Sequence, residues 1–247
     1  MDALQVPILC YHRVHKDDDP TIPEVVPGEY CGHVTESIFK MQMKWLADSG
    51  FQTITHMDIM RWLYEDIDFQ EKKLIAIDFD DARLNVFEVA FPIMREYGFI
   101  GTVFVVSELA SGNLPEMMKF PAMNWEHLST LLTKGWWIGA HTANHSRLVD
   151  LYNTDRGEEK VEIELSKDYN KIKKHLGIET LNFAYPQGNW NEQVEVIVRK
   201  YYRTARLWHN DFSPLFNTHK TNPYRLNSLN VSMLVTEDNF KTVLSKI

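Results

Sequence analysis

The chain has little that would tie it to a membrane, a nucleic acid or a disulfide scaffold. Only two of its 247 residues are cysteines, Cys10 and Cys31, and they do not form the close pairs of zinc ribbons or redox motifs. A chain of this size can bury a core of its own and needs no disulfide to hold it. No apolar run approaches the roughly 18 residues that span a bilayer, so no membrane span is expected. The first residues, MDALQVPILCYHRV, lack a basic leader region and a long apolar stretch; they read as a lead into a buried strand, not as a signal peptide. With Met1 as the native start, a cytoplasmic protein is expected. Lys and Arg number 26 against 34 Asp and Glu, for a net charge of −8, and there is no Lys/Arg-rich run. Nucleic acids and anionic membranes therefore find no electrostatic footprint. There is no low-complexity segment, linker or internal repeat, which points to a single domain over residues 1–247, and nothing in the pattern specifies an oligomer.

What the sequence has is alternation. Apolar runs of strand length at 6–11, 51–55, 73–79, 101–106, 136–141, 181–185, 203–207 and 227–233 are separated by amphipathic stretches near 36–49, 57–65, 86–97, 124–134, 155–176, 191–201 and 236–246. Gly50, Gly98, Gly135 and Gly177 each follow a helical stretch, where left-handed caps fall. Pro92 cannot sit in an unbroken helix, so its segment is expected to restart with Pro92 in the first turn. Strand–helix alternation implies a mainly parallel sheet, and seven or eight strands favour a closed or distorted α/β barrel. Active sites of such barrels form at the carboxyl ends of strands. Residues 111–123 are the longest expected loop and could border the site.

Two strings stand at such ends. IDFDD (77–81) closes one strand with adjacent carboxylates, and HTANH (141–145) follows another with two imidazoles four residues apart. Asp80 and Asp81 could instead cap a helix N-terminus, where acids meet exposed amides. On a regular strand their side chains would point to opposite faces, so convergence requires that the strand end between them. His141 and His145 reach one side across a helical turn or tight loop. Thr142 stands where the zinc-peptidase helix HExxH has its basic Glu, so a base must come from elsewhere. A catalytic zinc keeps three protein ligands and an open position, which divides the four side chains into three ligands, Asp81, His141 and His145, and one base, Asp80. The chemistry this implies is metal-assisted hydrolysis, with a second acid, most plausibly a His, to protonate a leaving amine.

These residues resemble those of the polysaccharide deacetylases, the NodB-homology domains of carbohydrate esterase family four. IDFDDA is similar to their TFDDG motif and HTANH to their H-[ST]-x-x-H motif. FAYPQG (183–188) resembles the FAYPYG string of the branch that includes deacetylases of exported poly-N-acetylglucosamine. PILCYHRV resembles that branch's opening strand, and TNPYRLNSLNV, more loosely, its closing stretch. The resemblance implies a distorted (β/α)7-type barrel of the NodB-homology kind, with Asp80 as base and Asp81, His141 and His145 around a divalent cation. Zn2+ is the default cation, and Co2+, Ni2+ or Fe2+ suit the same donors. It further implies an oxyanion donor in the backbone N–H of Gln187, an acetyl pocket shaped by Tyr185 and Pro186, and His12 as the acid. Trp190 and Trp208, in polar loops, are candidates for stacking on sugar rings.

Three departures bear on this. Ala82 replaces a glycine, so a positive φ after Asp81 would be costly. Gln187 replaces a tyrosine but keeps its N–H. Ser228 replaces an arginine that would orient the base, so Arg225 or Arg206 must substitute, or the base is held less well. The implied activity is removal of an N-acetyl group from an N-acetylated sugar in a cell-surface glycan or its precursor, such as one for O-antigen or capsule. A cyclic amide or ureide hydrolase of the same fold, and a sugar-binding protein with a weakened site, are the alternatives.

Overall fold

A computed structural model describes residues 4–22, 32–65, 67, 69, 73–114, 120–208 and 216–246. Its strands are β1 (Val6–Tyr11), β2 (Arg13–His15), β3 (His33–Thr35), β4 (Phe51–Ile54), β5 (Lys73–Asp80), β6 (Thr102–Val105), β7 (Trp137–Ala140), β8 (Asn182–Ala184), β9 (Thr204–Arg206), β10 (Phe216–Asn217) and β11 (Leu229–Asn230). Its helices are α1 (Glu36–Asp48), α2 (His56–Glu65), α3 (Phe91–Glu96), α4 (Ser107–Ala110), α5 (Trp125–Thr133), α6 (Leu148–Tyr152), α7 (Gly157–Leu176), α8 (Glu192–Val198) and α9 (Glu237–Leu244).

Seven strands run parallel: β1 and β4 both pair with β5, and β6, β7, β8 and β9 follow in order. The two ends of this sheet are drawn together by the chain after β10. Leu226 bridges Arg206 of β9, and Leu229 and Asn230 pair with Leu9 and Cys10 of β1. Ser228 takes part in this seam, donating through Oγ to the Leu207 carbonyl at 2.7 Å. The sheet therefore curls into the distorted α/β barrel expected from the alternation. The expected strand at 227–233 shrinks to two residues because the seam is made by short bridges.

The helices follow their sequence logic. Thr35 Oγ1 caps α1 by accepting from the Ile38 N–H at 3.4 Å, and Phe39, Met43 and Leu46, spaced for one face, pack on the sheet. The four helix-stopping glycines all have positive φ, between 68° and 85°. Pro92 lies in the first turn of α3, but the chain does not break before it. A π-helical segment, Val86–Ala90, runs straight into α3 and absorbs the irregularity. The β2–β3 pair, β10, α4 and α6 are too short to leave a period in the sequence.

Alternation along the strands sorts side chains into an outer layer and a lumen. Leu9, Tyr11, Ile75, Ile77, Phe79, Val103 and Val105 face the helices in the main core. Val6, Ile8, Leu74 and Ala76 face inward and meet Ile54, Ile59, Trp62 and Leu226 in a second cluster that forms the floor of the barrel. Each buried Val, Leu or Ile among them contributes about 1.5–3 kcal/mol by leaving water. Further along, the same inward positions hold Cys10 on β1 and Asp78 and then Asp80 on β5. The lumen thus turns from apolar to charged as it approaches the carboxyl ends of its strands.

Candidate active site

Strand β5 ends at Asp80, and the backbone then leaves the sheet through Asp81 (φ 67°) and Ala82 (φ 53°). This turn brings two adjacent carboxylates to one mouth. It demands positive φ at two non-glycine residues, a strain of about 1–2 kcal/mol each, so the conformation that Ala82 was expected to resist is the one adopted. The loop is latched by residues 120–123. Met123 N–H donates to Ala82 O at 2.8 Å, Leu84 N–H to Pro121 O at 2.9 Å, and Arg83 Nη1 to Phe120 O at 3.2 Å. One end of the expected loop at 111–123 therefore borders the site; its residues 115–119 lie outside the described residues.

Asp81 meets the two histidines of the loop after β7. Its Oδ1 lies 3.8 Å from His141 Nε2 and 3.4 Å from His145 Nε2, while Oδ2 accepts from Arg83 Nη2 at 3.1 Å. The loop reaches this arrangement through positive φ at Thr142 (65°) and His145 (59°). His141 Nδ1 lies 2.8 Å from the Ala184 carbonyl, so Nδ1 carries the hydrogen and Nε2 presents its lone pair toward Asp81. Burial keeps both rings below the ordinary imidazole pKa, only partly offset by the nearby carboxylates, and therefore neutral at neutral pH. Burial opposes charge on Asp81, but His145 and Arg83, with His12 and His141, hold its carboxyl below the usual carboxylate range. Asp81 Oδ1 is buried and has no hydrogen-bond partner among the described residues. A buried, ionised oxygen facing two lone pairs is an arrangement that a divalent cation satisfies, and the three donor atoms lie within 4.8 Å of one another. The residues fit such an ion.

Asp80 faces a different environment. Arg206 Nη2 donates to its Oδ1, and Arg206 Nε donates to Asp78 Oδ2 at 2.8 Å; the same Asp78 oxygen lies 2.8 Å from His56 Nε2. The guanidinium is fully buried and stacks on Phe104, 4.6 Å from the ring centroid. Burial pushes the Asp80 carboxyl up, but Arg206, His141 and His12 together outweigh it and leave its pKa lowered. Of the two arginines weighed for the missing family position, Arg206 holds Asp80. Arg225 instead donates to Glu195 Oε2 at 2.7 Å and covers the Trp190 ring at 4.1 Å. Asp80 Oδ2 is left facing His12 Nε2 at 3.9 Å and the Cys10 thiol at 3.4 Å. Burial lowers the His12 pKa and raises that of Cys10. His12 is pinned through its backbone N–H, which donates to Gly32 O at 2.8 Å. Gly32 has φ 64°, and a Cβ there would come within 2.1 Å of His12 Nδ1, so only glycine fits. Cys10 is a free thiol; Cys31 lies outside the described residues.

The remaining expected positions are less concentrated. The Gln187 backbone stands at φ 56° in the tight turn Pro186–Gly188. The turn's own hydrogen bonds use the Gly188 and Asn189 amides, which leaves the Gln187 N–H out of them. Tyr185 was expected to shape an acetyl pocket, but alternation along β8 turns its ring outward against Phe183, 5.2 Å between centroids, within the main core. Pro186 is buried beneath the turn. Trp208 is partly exposed and backs onto Gly188 through its carbonyl. Trp190 donates from Nε1 to Glu195 and gives one ring face to Arg225, so that face is not open to a sugar.

Sequence reasoning missed Glu164 of α7. It is 6% exposed and accepts from the Asn144 N–H at 2.6 Å, Asn144 Nδ2 at 2.7 Å and Ser146 Oγ at 2.9 Å, stapling the loop that carries both histidines. The signal was available: Glu164 and Asp168 share the helix face of Val161, Leu165 and Ile172, where charged residues need a partner. His56 was missed too, although Asp78 in the middle of an apolar strand implied a buried cation or donor.

The polysaccharide deacetylase family model matches residues 68–205, over half of the chain and most of the barrel. The Bacillus subtilis (strain 168) protein YxkH, which bears a polysaccharide deacetylase name, is 25% identical over 189 residues, 76% of this chain and 59% of its own. A Staphylococcus aureus (strain MSSA476) poly-beta-1,6-N-acetyl-D-glucosamine N-deacetylase is 26% identical over 182 residues, 68% of this chain and 58% of its own. The chain thus spans under two thirds of the length of these curated relatives. Two solved structures share the fold end to end. The Streptococcus pyogenes deacetylase PplD, solved with acetate, superposes with a TM-score of 0.79 at 20% identity over 98% of this chain and 99% of that one. A de-N-acetylase from Aggregatibacter actinomycetemcomitans gives 0.79 at 16% identity, over 97% and 99%. With the matched segment containing both carboxylates and both histidines of the mouth, the chain belongs to the polysaccharide deacetylase family.

Proposed function

We propose that the protein is a metal-dependent N-deacetylase that removes the acetyl group from an N-acetylated sugar of a cell-surface glycan or its biosynthetic precursor. The observation that carries this reading is the unpartnered, buried Asp81 Oδ1 facing the Nε2 atoms of His141 and His145. Asp81, His141 and His145 hold the cation, with Zn2+ first among Zn2+, Co2+, Ni2+ and Fe2+ for two imidazoles and a carboxylate. When bound, it polarises the acetyl carbonyl and lowers the pKa of a water. The substrate class draws support from the staphylococcal relative, named for an N-acetylglucosamine polymer.

In this reading Asp80 is the general base. Arg206 fixes Oδ1, so the proton is taken at Oδ2, the oxygen turned toward His12. His12 enters neutral because burial lowers its pKa; the proton collected at Asp80 Oδ2 is the one it forwards to the leaving amine. The Gln187 N–H donates to the oxyanion, a contact of the kind worth about 2.7–4 kcal/mol. Pro186 walls the pocket, and Trp208 and Arg225 meet the sugar at its rim. The test is acetate release from N-acetylglucosamine oligomers. Release that stops on chelation and returns with added zinc supports the proposal; release insensitive to exhaustive chelation contradicts it.

A further inference from the structure

Strand β1 sets a thiol beside the carboxylate assigned as the base. Cys10 Sγ and His12 Nε2 approach the same Asp80 oxygen, at 3.4 Å and 3.9 Å, while Arg206 donates to the other. The three donor atoms lie within 4.8 Å of one another, as do those of Asp81, His141 and His145. The two sets share no residue. They differ in kind, since the Asp81 set has only nitrogen and oxygen donors, while Cys10 adds sulfur. A thiolate with imidazole and carboxylate is a donor set for thiophilic cations such as Zn2+, Cd2+ or Co2+. The charge also favours it. With Cys10 ionised, Asp78, Asp80 and the thiolate stand against the single guanidinium of Arg206. His12, with a side chain 20% exposed, is the side of the cluster open to solvent.

We propose that Cys10, His12 and Asp80 form a second, sulfur-containing cation site whose occupation stops the reaction. On binding, Cys10 Sγ–H releases its proton to solvent and a sulfur–metal bond forms, with no change of oxidation state. Asp80 Oδ2 and His12 Nε2 are then engaged as ligands and can no longer take or forward a proton. The inhibitory consequence rests on the assignment of Asp80 as base, whereas the site itself does not. Excess zinc would then silence the protein that the first equivalent activates.

The test is titration with Co2+ of four proteins: wild type, Cys31→Ser, Cys10→Ser and His141→Ala. A thiolate-to-cobalt charge-transfer absorption in the near ultraviolet is expected beyond the first equivalent in the wild type and Cys31→Ser, from the first addition in His141→Ala, and not at all in Cys10→Ser. Excess Zn2+ should suppress acetate release by the wild type, and Cys10→Ser should need more zinc for the same loss. Removing a ligand costs at least what losing an outer partner of one costs, about 10–100-fold in affinity. No charge-transfer band at any cobalt ratio in the wild type, or a band that survives in Cys10→Ser, overturns the proposal. Should Cys10→Ser fail to fold, the wild-type titration still decides, beside His12→Ala, which is expected to weaken the band's onset. The two readings fail separately. Loss of the first equivalent in His141→Ala without a thiolate band sinks only the second site, and a thiolate band with a first equivalent unaffected by His141→Ala sinks the Asp81 site instead.

Discussion

The floor and the mouth of the barrel lumen are built from the same strands and obey opposite rules. On β1, Val6 and Ile8 pack into the floor while Cys10 faces Asp80; on β5, Leu74 and Ala76 pack into the floor while Asp78 and Asp80 bind Arg206. At the floor the inward positions need only fit together, and water exclusion supplies the energy. At the mouth each charge needs a partner brought from far along the chain, and each partner left out costs more than a lost contact. A single strand thus carries stability at one end and chemistry at the other, with the change made within two residues.

Substitutions at the two ends should therefore separate activity from stability. The largest effect is expected from Asp80→Asn, which keeps the shape and an acceptor for Arg206 but removes the base: acetate release by the folded protein should fall by about 10²–10⁴-fold. A loss of only a few-fold would mean that the proton goes elsewhere. At the floor, Trp62→Ala should remove about 3–5 kcal/mol of folding free energy, measured by urea denaturation, while the folded fraction keeps its metal affinity. An affinity that falls in step with stability would erase the distinction. Glu164→Ala, which releases the loop of His141 and His145, should weaken metal binding by about 10–100-fold in competition with a chromophoric chelator; unchanged affinity would make Glu164 a purely structural residue.

The last effect is a pH dependence spread over several buried groups. His12, His141 and His145 have lowered pKa values, and His33, beneath burial and the charge of Arg13, is pushed down to about 3. For a histidine lowered on folding, the unfolded chain binds more protons as pH drops below about 6.5. Their contribution is complete above that pH and is lost as pH falls toward the folded values. Asp168, raised by burial to about 8, pulls the other way, but it is one group against four. The metal-free protein should therefore lose up to about 1.4 kcal/mol per histidine for each pH unit below 6.5, followed by denaturation at pH 7 and 5.5. Equal stability at both would show that these rings are not buried as described.

Much of the barrel and the centre of the site were legible because their signals are local. Strand–helix alternation, the stops at Gly50 through Gly177, and the two motifs at strand ends all sit within a few residues of sequence. What escaped is non-local. Arg206 and Asp78 are 128 residues apart, and Arg225 competed with Arg206 for the same role until the fold separated them. Glu164 staples a loop 18–20 residues before it in the chain, from a helix face that reads mostly as core. The outward turn of Tyr185 follows from the register of β8, which three residues of strand cannot announce. Ala82 shows the limit of a residue rule, since its latched loop accepts a positive φ that propensity disfavours.

The central claim is that Asp81, His141 and His145 hold a divalent cation. Its most direct test is the metal content of freshly purified wild type beside His141→Ala, by elemental analysis at matched protein concentration. The account predicts about one transition-metal ion per wild-type chain, as one three-ligand site requires, and little or none in the variant. A wild type that holds no metal even after incubation with zinc, or a variant that keeps its full share, would contradict it.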